Sequence, residues 1–504
     1  MVFSNIQVLV RCSLILIVPV KAKIVGWREV AGGVGVAWDK IISDRILPEY
    51  DVLNLTWVMG ECVESVDAGA VIDWVQSGAD VVIGPACSAT AIISGTIGKY
   101  FNFPLVIWAP TFSSALLNEF EYPTIMATSF CSINQAQAIV KLLQTYQWTD
   151  VAIIDYVSRS SLIPRCSYVF SDLEDILNAN TNMNIAYRRQ LTAINNATFK
   201  TILSAIKDVS RVTVSCFESD LARRNFMVAI AELGMDTDEY VWIMVESRKL
   251  GFADAWKDPV IPADGKDAVA LRAARRFFIM DVEPLNSTEQ FIADVGAKMK
   301  EPPFNCDNCT DIDPATSQVG EVADALLLFA IAMNRSLSSG VKAPKGIDLA
   351  KSSVGVFEGF TGTVIINRNG SRDPIFYLWG LNSSDQQIVM MKITGTVDLD
   401  SVKVSLHEIF GNPKEIFLCQ FGSALQSNLR KTSSLISVAE ANIDVWMPLA
   451  ATHTPLLCEL NENITRVKSI YTSQKNLVFK KLITSGVVGY RISQLIPQKS
   501  CQVT

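Results

Sequence analysis

Apolar positions along this chain fall into two kinds of run. Short, near-continuous apolar segments occur at Asp80 to Ile83, Pro104 to Trp108, Asp150 to Tyr156, Arg211 to Phe217, Tyr240 to Val245 and Arg276 to Asp281. Such runs suit strands buried on both faces of a parallel sheet. Between them lie stretches with helical spacing: Ala68, Val71, Ile72 and Val75 recur at i, i+3, i+4 and i+7, and Gly78 supplies the stop. The alternation runs from Val30 to about Val282 and predicts an α/β fold with helices on both sheet faces. The polar, irregular stretch Tyr122 to Ser132 interrupts it and reads as a crossing between two lobes. Beyond Asn286 come a loop rich in Pro, Asp and Cys, an apolar helix from Gly320 to Leu337, and a hairpin-like tract from Phe357 to Leu381 with a turn at Asn369 and Gly370. After Phe410 the periodicities weaken, and no internal repeat is found.

The first segment has two readings. Met1 to Ala22 carries Arg11, the apolar run Ser13 to Val20, and Val20 and Ala22 placed like small residues before a signal-peptidase cut, so export is favoured. The competing reading is a buried first strand, since Ile15 to Val18 is β-friendly. After this segment no run of eighteen apolar residues occurs. Val322 to Met333 is interrupted by Asp324 and too short to span a bilayer, so no membrane anchor is expected in the sequence as given.

Composition narrows the function classes. With 504 residues, 49% hydrophobic and 19% charged, most of the chain should fold, in more than one core. A net charge of −7 offers no basic stripe for a phosphate backbone, which excludes nucleic acid as a partner. Sequons at Asn54, Asn196, Asn286, Asn308, Asn334, Asn369, Asn382 and Asn463 fit an exported glycoprotein. Eleven cysteines suit an oxidising compartment but are too sparse to build the fold, so disulfides would act as staples.

Two segments carry candidate binding chemistry. Cys87 follows a buried strand at its carboxyl end, where open α/β sheets bind ligands, and Gly84 and Pro85 force a tight turn before a helix starting at Ser88. The functional reading is an anion or ligand cradle formed by Gly84, Ser88, Ala89 and Thr90. The structural alternative is a helix start pinned by a Cys62–Cys87 disulfide, which would close a loop of about 25 residues and stabilise by roughly 3 kcal/mol. The second segment, VIWAPTFSS, also follows a strand. Trp108, Thr111, Phe112, Ser113 and Ser114 would offer an aromatic platform beside small hydroxyls, or else ordinary turn residues closing a core. A further staple joins Cys166 to Cys216. Cys306 and Cys309 read as a local disulfide in preference to a zinc half-site, because no second pair or nearby histidine completes a metal site.

Enzyme signatures are weak. The two histidines, His407 and His453, lie in the C-terminal quarter, so a hydrolase triad lacks its base. Gly32 to Trp38 imitates a dinucleotide fingerprint until Trp38 occupies the third glycine position. Glu218 and Asp220 are acid/base candidates that more often prove to be solvated loop carboxylates.

The ordered set GECVES, GADVVIGPACSATA, FNFPLVIWAPTFSS, YPTIMATSF, VSCFESDLARRNFMVAIAELGMDTDEYVWIMV, VADALLLFAIAMNRSL and FEGFTGTVIINRNGSRDP resembles the extracellular ligand-binding region of receptor guanylate cyclases. Nematode receptor-type cyclases give the nearest flavour and natriuretic peptide receptors a more distant one. The resemblance covers Val25 to Phe421. It implies a periplasmic-binding-protein type I fold, two doubly wound parallel-sheet lobes joined by three crossings, homodimerisation, and disulfides Cys62–Cys87 and Cys166–Cys216. It also implies a chloride site beside Gly84 to Cys87, and no other cofactor. The peptide-contacting residues of natriuretic receptors find no match, so the ligand stays open among a small molecule, an ion and a peptide.

The expected organisation is a signal peptide over 1–22, one lobe from 23–125 with 283–352, a second from 126–282 with 353–410, and a poorly ordered juxtamembrane-like tail over 411–504. Three departures from the resemblance stand out: a first strand is missing, no transmembrane helix follows Phe421, and nothing resembles a cyclase domain. The chain is thus expected outside the cell, sensing without signalling, its membrane link lying in a segment the sequence lacks. A soluble decoy or transport protein and a secreted α/β hydrolase are the alternatives.

Overall fold

Leu14, Leu16 and Val18 of strand β1 (Arg11–Val18) enter one core, and Ile15 and Ile17 enter another, so both faces of this strand are buried. A computed structural model describes residues 11–19, 25–108, 111–158, 164–284, 288–309, 318–398 and 401–408. The chain divides into two units, Met1–Ser427 and Asn428–Thr504, and every described residue lies in the first. The expected tail over 411–504 lies outside the described residues.

Here the structure corrects the favoured reading of the N-terminus. The apolar run assigned to an export signal forms β1, which pairs in parallel with β2 (Val52–Met59) on one side and β3 (Val81–Ile83) on the other. A strand buried on both faces has the same unbroken apolar signature as a signal-peptide core, so the sequence alone does not separate them. The first strand judged missing is therefore present.

With β4 (Leu105–Ile107) and β5 (Ile125–Ala127), the first sheet has the order β2-β1-β3-β4-β5, parallel throughout. Helices α1 (Trp27–Ser43), α2 (Glu64–Ser77) and α3 (Ser88–Phe101) connect its first four strands. After β5, α4 (Ser132–Thr145) leads to the second sheet. Its parallel part is built from β6 (Asp150–Tyr156), α5 (Arg165–Ala179), β7 (Asn184–Leu191), α6 (Asn196–Val209), β8 (Val212–Phe217), α7 (Asp220–Glu232), β9 (Val241–Val245), α8 (Asp267–Ala274) and β10 (Phe277–Val282). The spatial order β7-β6-β8-β9-β10 repeats that of the first sheet. Each lobe thus has its topological switch point between its first and third strands, where doubly wound sheets open a crevice at the carboxyl ends.

The chain returns to the first lobe through α9 (Glu289–Lys300), α10 (Val319–Ser338) and α11 (Gly346–Ser353), and then forms a hairpin of β11 (Gly355–Gly359) and β12 (Gly362–Ile366). Antiparallel β13 (Ile375–Leu381), β14 (Gln387–Asp398) and β15 (Ser401–Glu408) extend the second sheet beyond β10. The hairpin differs from expectation in two ways. Its turn is Phe360–Thr361, while Asn369 and Gly370 sit in the crossing that follows. Phe357, Val364 and Ile366 pack in the first lobe's core with α10, although residues from 353 onward were assigned to the second lobe.

Each sheet separates two cores. In the second lobe, Val241, Ile243 and Val245 of β9 face the core under α4 and α5, whereas Trp242 and Met244 face that of α6, α7 and α8. The chain crosses between lobes three times, after β5, after β10 and after β12.

Candidate functional site

At the first lobe's switch point, β3 ends in a turn that needs glycine. Gly84 has φ +117°, donates its N–H to the Val106 carbonyl at 2.8 Å, and would place a Cβ 2.6 Å from the Ile17 carbonyl oxygen. Cys87 is bonded to Cys62, and α3 begins at Ser88 without a side-chain cap. The Thr90 hydroxyl turns back to the Cys87 carbonyl at 3.1 Å, and the Ser113 N–H donates to Ser88 Oγ at 3.0 Å. The two sequence-predicted segments therefore do meet.

Their exposure differs from expectation. Ala89 is exposed and Ser113 and Ser114 half-buried, but Gly84, Ser88, Thr90, Thr111 and Phe112 are buried. Trp108, read as an aromatic platform, is fully buried in the first lobe's core and offers the opening no surface. The period-two alternation of β4 puts it on the Val106 side, against α10, and that packing decides. Thr111 has φ +101°, and its Oγ1 meets no hydrogen-bond partner among the described residues.

Helix α5 of the second lobe closes over this edge. The Tyr168 hydroxyl hydrogen-bonds Ser88, and Asp172 accepts from Ser114 Oγ at 2.6 Å and from Ser132 Oγ. Burial pushes the Asp172 carboxyl above its ordinary value, and the two hydroxyls pull it back only in part. The Cys166–Cys216 disulfide ties the start of α5 to the end of β8.

Just below lies a charge cluster that the sequence did not announce. Glu246, following β9, is buried and receives Arg223 Nε, Arg248 Nε at 3.0 Å and Arg165 Nη2 at 3.3 Å. Burial raises this carboxyl, but Arg223, Arg248 and Arg165 more than offset that and hold it at about 2. The acid/base candidates are absorbed here: Asp220 accepts from Arg248 and Arg223, and Glu218 from the Cys166 N–H at 3.3 Å. Of the histidines, His407 is on β15 in register with Lys392, and His453 lies outside the described residues. Cys306 and Cys309 form a disulfide, and no three His, Cys, Asp or Glu converge on a metal position among the described residues.

The lobes also share a cavity of about 350 Å³ at the crossings, lined by Ser129, Lys249, Glu283, Glu321, Thr361 and Arg372 among others. Lys249 pairs with Glu321 of α10, and both are buried. Burial pushes the Lys249 ammonium down, and Glu321 opposes it. Asp281 accepts the N–H groups of Lys249, Leu250 and Gly251, which shapes the loop after β9. Asp324, one turn beyond Glu321, accepts from the Phe360 N–H and from the Thr361 N–H and hydroxyl. Burial lifts its carboxyl to about 6 against these bonds and the Arg372 charge. The signal for this site was the pair of acids near the start of the apolar helix, Glu321 and Asp324, of which only Asp324 stood out in the sequence, as an interruption.

Of the sequons, Asn54, Asn308 and Asn334 are exposed, Asn196, Asn369 and Asn382 are half-buried, and Asn286 and Asn463 lie outside the described residues. No helix among the described residues is long and apolar enough to cross a membrane.

Residues 30–384 match the family described as the receptor family ligand binding region. Curated relatives from Caenorhabditis elegans include the receptor-type guanylate cyclase gcy-13, 26% identical over 404 residues, which cover 76% of this chain and 38% of the relative. The receptor-type guanylate cyclases gcy-20 and gcy-14 are 27% and 28% identical, each over 71% of this chain and 35% and 34% of their own length. The chain thus spans little more than a third of the relatives it matches.

Proposed function

This chain belongs to the receptor family of ligand binding regions, and from that premise we propose that it is the extracellular sensing part of a receptor-type guanylate cyclase. Its ligand sits between the lobes, and the bound state biases the lobe arrangement that a whole receptor would convert into cyclic GMP output. One observation carries this reading. Two sheets of the same strand order meet through three crossings, with the residues after β3, β4 and β5 of one lobe reaching α5 and the residues after β9 of the other. That is a hinge with a gap, the arrangement that lets a small guest favour one orientation.

The finer parts of the reading are a homodimer, glycosylation at exposed Asn54 and Asn334, and a chloride near the uncapped start of α3 at Gly84 to Cys87. The test is a thermal-shift screen of the purified chain against amino acids, small organic ions, chloride salts and peptides. A ligand at about a hundred times its Kd adds about 2.7 kcal/mol to the folded state and raises the melting temperature. If no class shifts the transition, the sensing role fails. Sedimentation and glycosidase treatment test the dimer and the glycans.

A further inference from the structure

Two buried polar atoms at the hinge cavity have no partner: a carboxylate oxygen, which can only accept, and a hydroxyl, which can accept or donate. Glu321 gives Oε1 to the Lys249 ammonium, but its Oε2 meets no donor, and Ser129 Oγ is likewise unpaired. The two residues are 5% and 4% exposed, and both line the cavity. A buried carboxylate oxygen without a donor is costly, so the site favours whatever brings donors to it.

The rest of the lining says what the donor should be attached to. Lys249 and Arg372 share the wall with three carboxylates, those of Glu283, Glu321 and Asp373, and Glu283 is also paired with Lys392 at 3.6 Å, so the charges balance and the open Glu321 oxygen is what a donor would meet. Both cations are already engaged, Lys249 by Glu321 and Arg372 by Thr361 Oγ1 at 2.6 Å, which leaves an anion little to bind. A bare divalent ion would find one open carboxylate oxygen and one hydroxyl, fewer oxygen ligands than such ions take. Phe130, Val282, Ile365 and Ile375 supply apolar wall. At about 350 Å³ the cavity lies at the small end of ligand pockets.

We infer that this hinge cavity is a binding site for a small organic ammonium with an apolar body, its N–H groups donating to Glu321 Oε2 and Ser129 Oγ. The ligand touches all three crossings at once, through Ser129, Glu283 and Arg372, so its occupancy locks the hinge. The inference stands on the cavity alone and does not depend on which ligand the cleft takes.

The test is titration calorimetry of the full chain with three matched probes: phenethylamine, phenethyl alcohol and phenylacetate. Phenethylamine should bind at least about tenfold more tightly than either of the others, as a charge-assisted bond to a buried carboxylate requires. Glu321→Gln should weaken the amine by about ten- to a hundredfold and leave the alcohol nearly unchanged. Ser129→Ala should weaken the amine by a smaller factor. Thr363→Trp, at an exposed position of the lining, should block all three without touching the core. No heat with the amine, a preference for phenylacetate, or amine binding that survives both Ser129→Ala and Thr363→Trp would each overturn the inference, and these last two variants decide it even where Glu321→Gln does not fold. Thermal shifts with unrelated ligands alongside a silent amine would sink this site while sparing the sensing role.

Discussion

Replacing Glu246 by glutamine removes one charge and almost no volume, and it leaves Arg165, Arg223 and Arg248 around a neutral amide inside the second lobe. Two routes give the size of the effect. The fold holds the Glu246 carboxyl at about 2 against an ordinary 4.5, and a gap of about 2.5 units at 1.36 kcal/mol each corresponds to about 3 kcal/mol at neutral pH. Independently, removing one partner from a buried ion cluster costs about 3–5 kcal/mol, because the remaining charge is stranded. The agreement makes about 3 kcal/mol the working value, or a melting temperature lower by about 6–12 °C for a lobe of this size. The pH dependence has a definite sign. A carboxyl depressed by folding stabilises fully above its unfolded value near 4.5, and that contribution is lost as pH falls through about 2. The gap between wild type and Glu246→Gln should therefore be full at pH 7, begin to close below about 4.5, and vanish near 2. Urea unfolding of both proteins across that range is the assay. A gap under about 1 kcal/mol at pH 7, or one that stays constant down to pH 3, would refute the arginine-clamp account.

Three further expectations follow from the same kind of argument. Replacing Cys166 and Cys216 together with alanine releases a closure of 50 residues and should lower the unfolding free energy by about 4 kcal/mol, more than loss of the 3-residue Cys306–Cys309 link; equal losses in urea midpoints would contradict the chain-entropy explanation. Gly84→Ala combines a φ of +117° with a Cβ 2.6 Å from the Ile17 carbonyl, so it should cost about 2 kcal/mol or more, read by urea unfolding; a neutral substitution would mean that β1 does not approach the turn so closely. Asp324 has the opposite sign to Glu246: its carboxyl is raised from 3.8 to about 6, so its charge opposes folding above 6, and stability should rise as pH drops from 6 toward 3.8. Asp324→Asn should flatten that limb of the pH profile, and an unchanged limb would assign it to another group.

What the sequence made legible follows burial. The strands inside the two sheets, β3, β4, β6, β8, β9 and β10, are apolar on both faces and stand out as continuous runs. The edges do not: β2 and β7 keep exposed polar positions, so their pattern resembles loop or helix flank. The stretch Tyr122 to Ser132 reads as irregular because it holds β5, only three residues long, before the chain leaves the lobe for α4. At the site, the strand-end rule located the Ser88–Ser113 contact but not which side chains face the gap. Val106 and Trp108 share one face of β4, and the large helix α10 claims it. Lys249, Glu321 and Arg372 were out of reach for a simpler reason. They lie on segments 72 and 51 residues apart in sequence and become neighbours only after both lobes close on the same helix end.

That helix end sets what kind of motion the hinge allows. Two crossings and the loop after β9 send polar groups to the start of α10: Thr128 donates to the Glu321 carbonyl at 2.9 Å, Lys249 pairs with the Glu321 carboxylate, and Arg372 reaches Thr361, which bonds Asp324. Apolar contacts alone would let the lobes slide through a continuum of angles. Buried hydrogen bonds are directional and costly to leave unmade, so a rotation that stretches one of them must either break it or carry it to a new partner. The lobes should accordingly settle in a few discrete arrangements, and a guest that satisfies Glu321 Oε2 would deepen one of them without adding any contact between the lobes themselves.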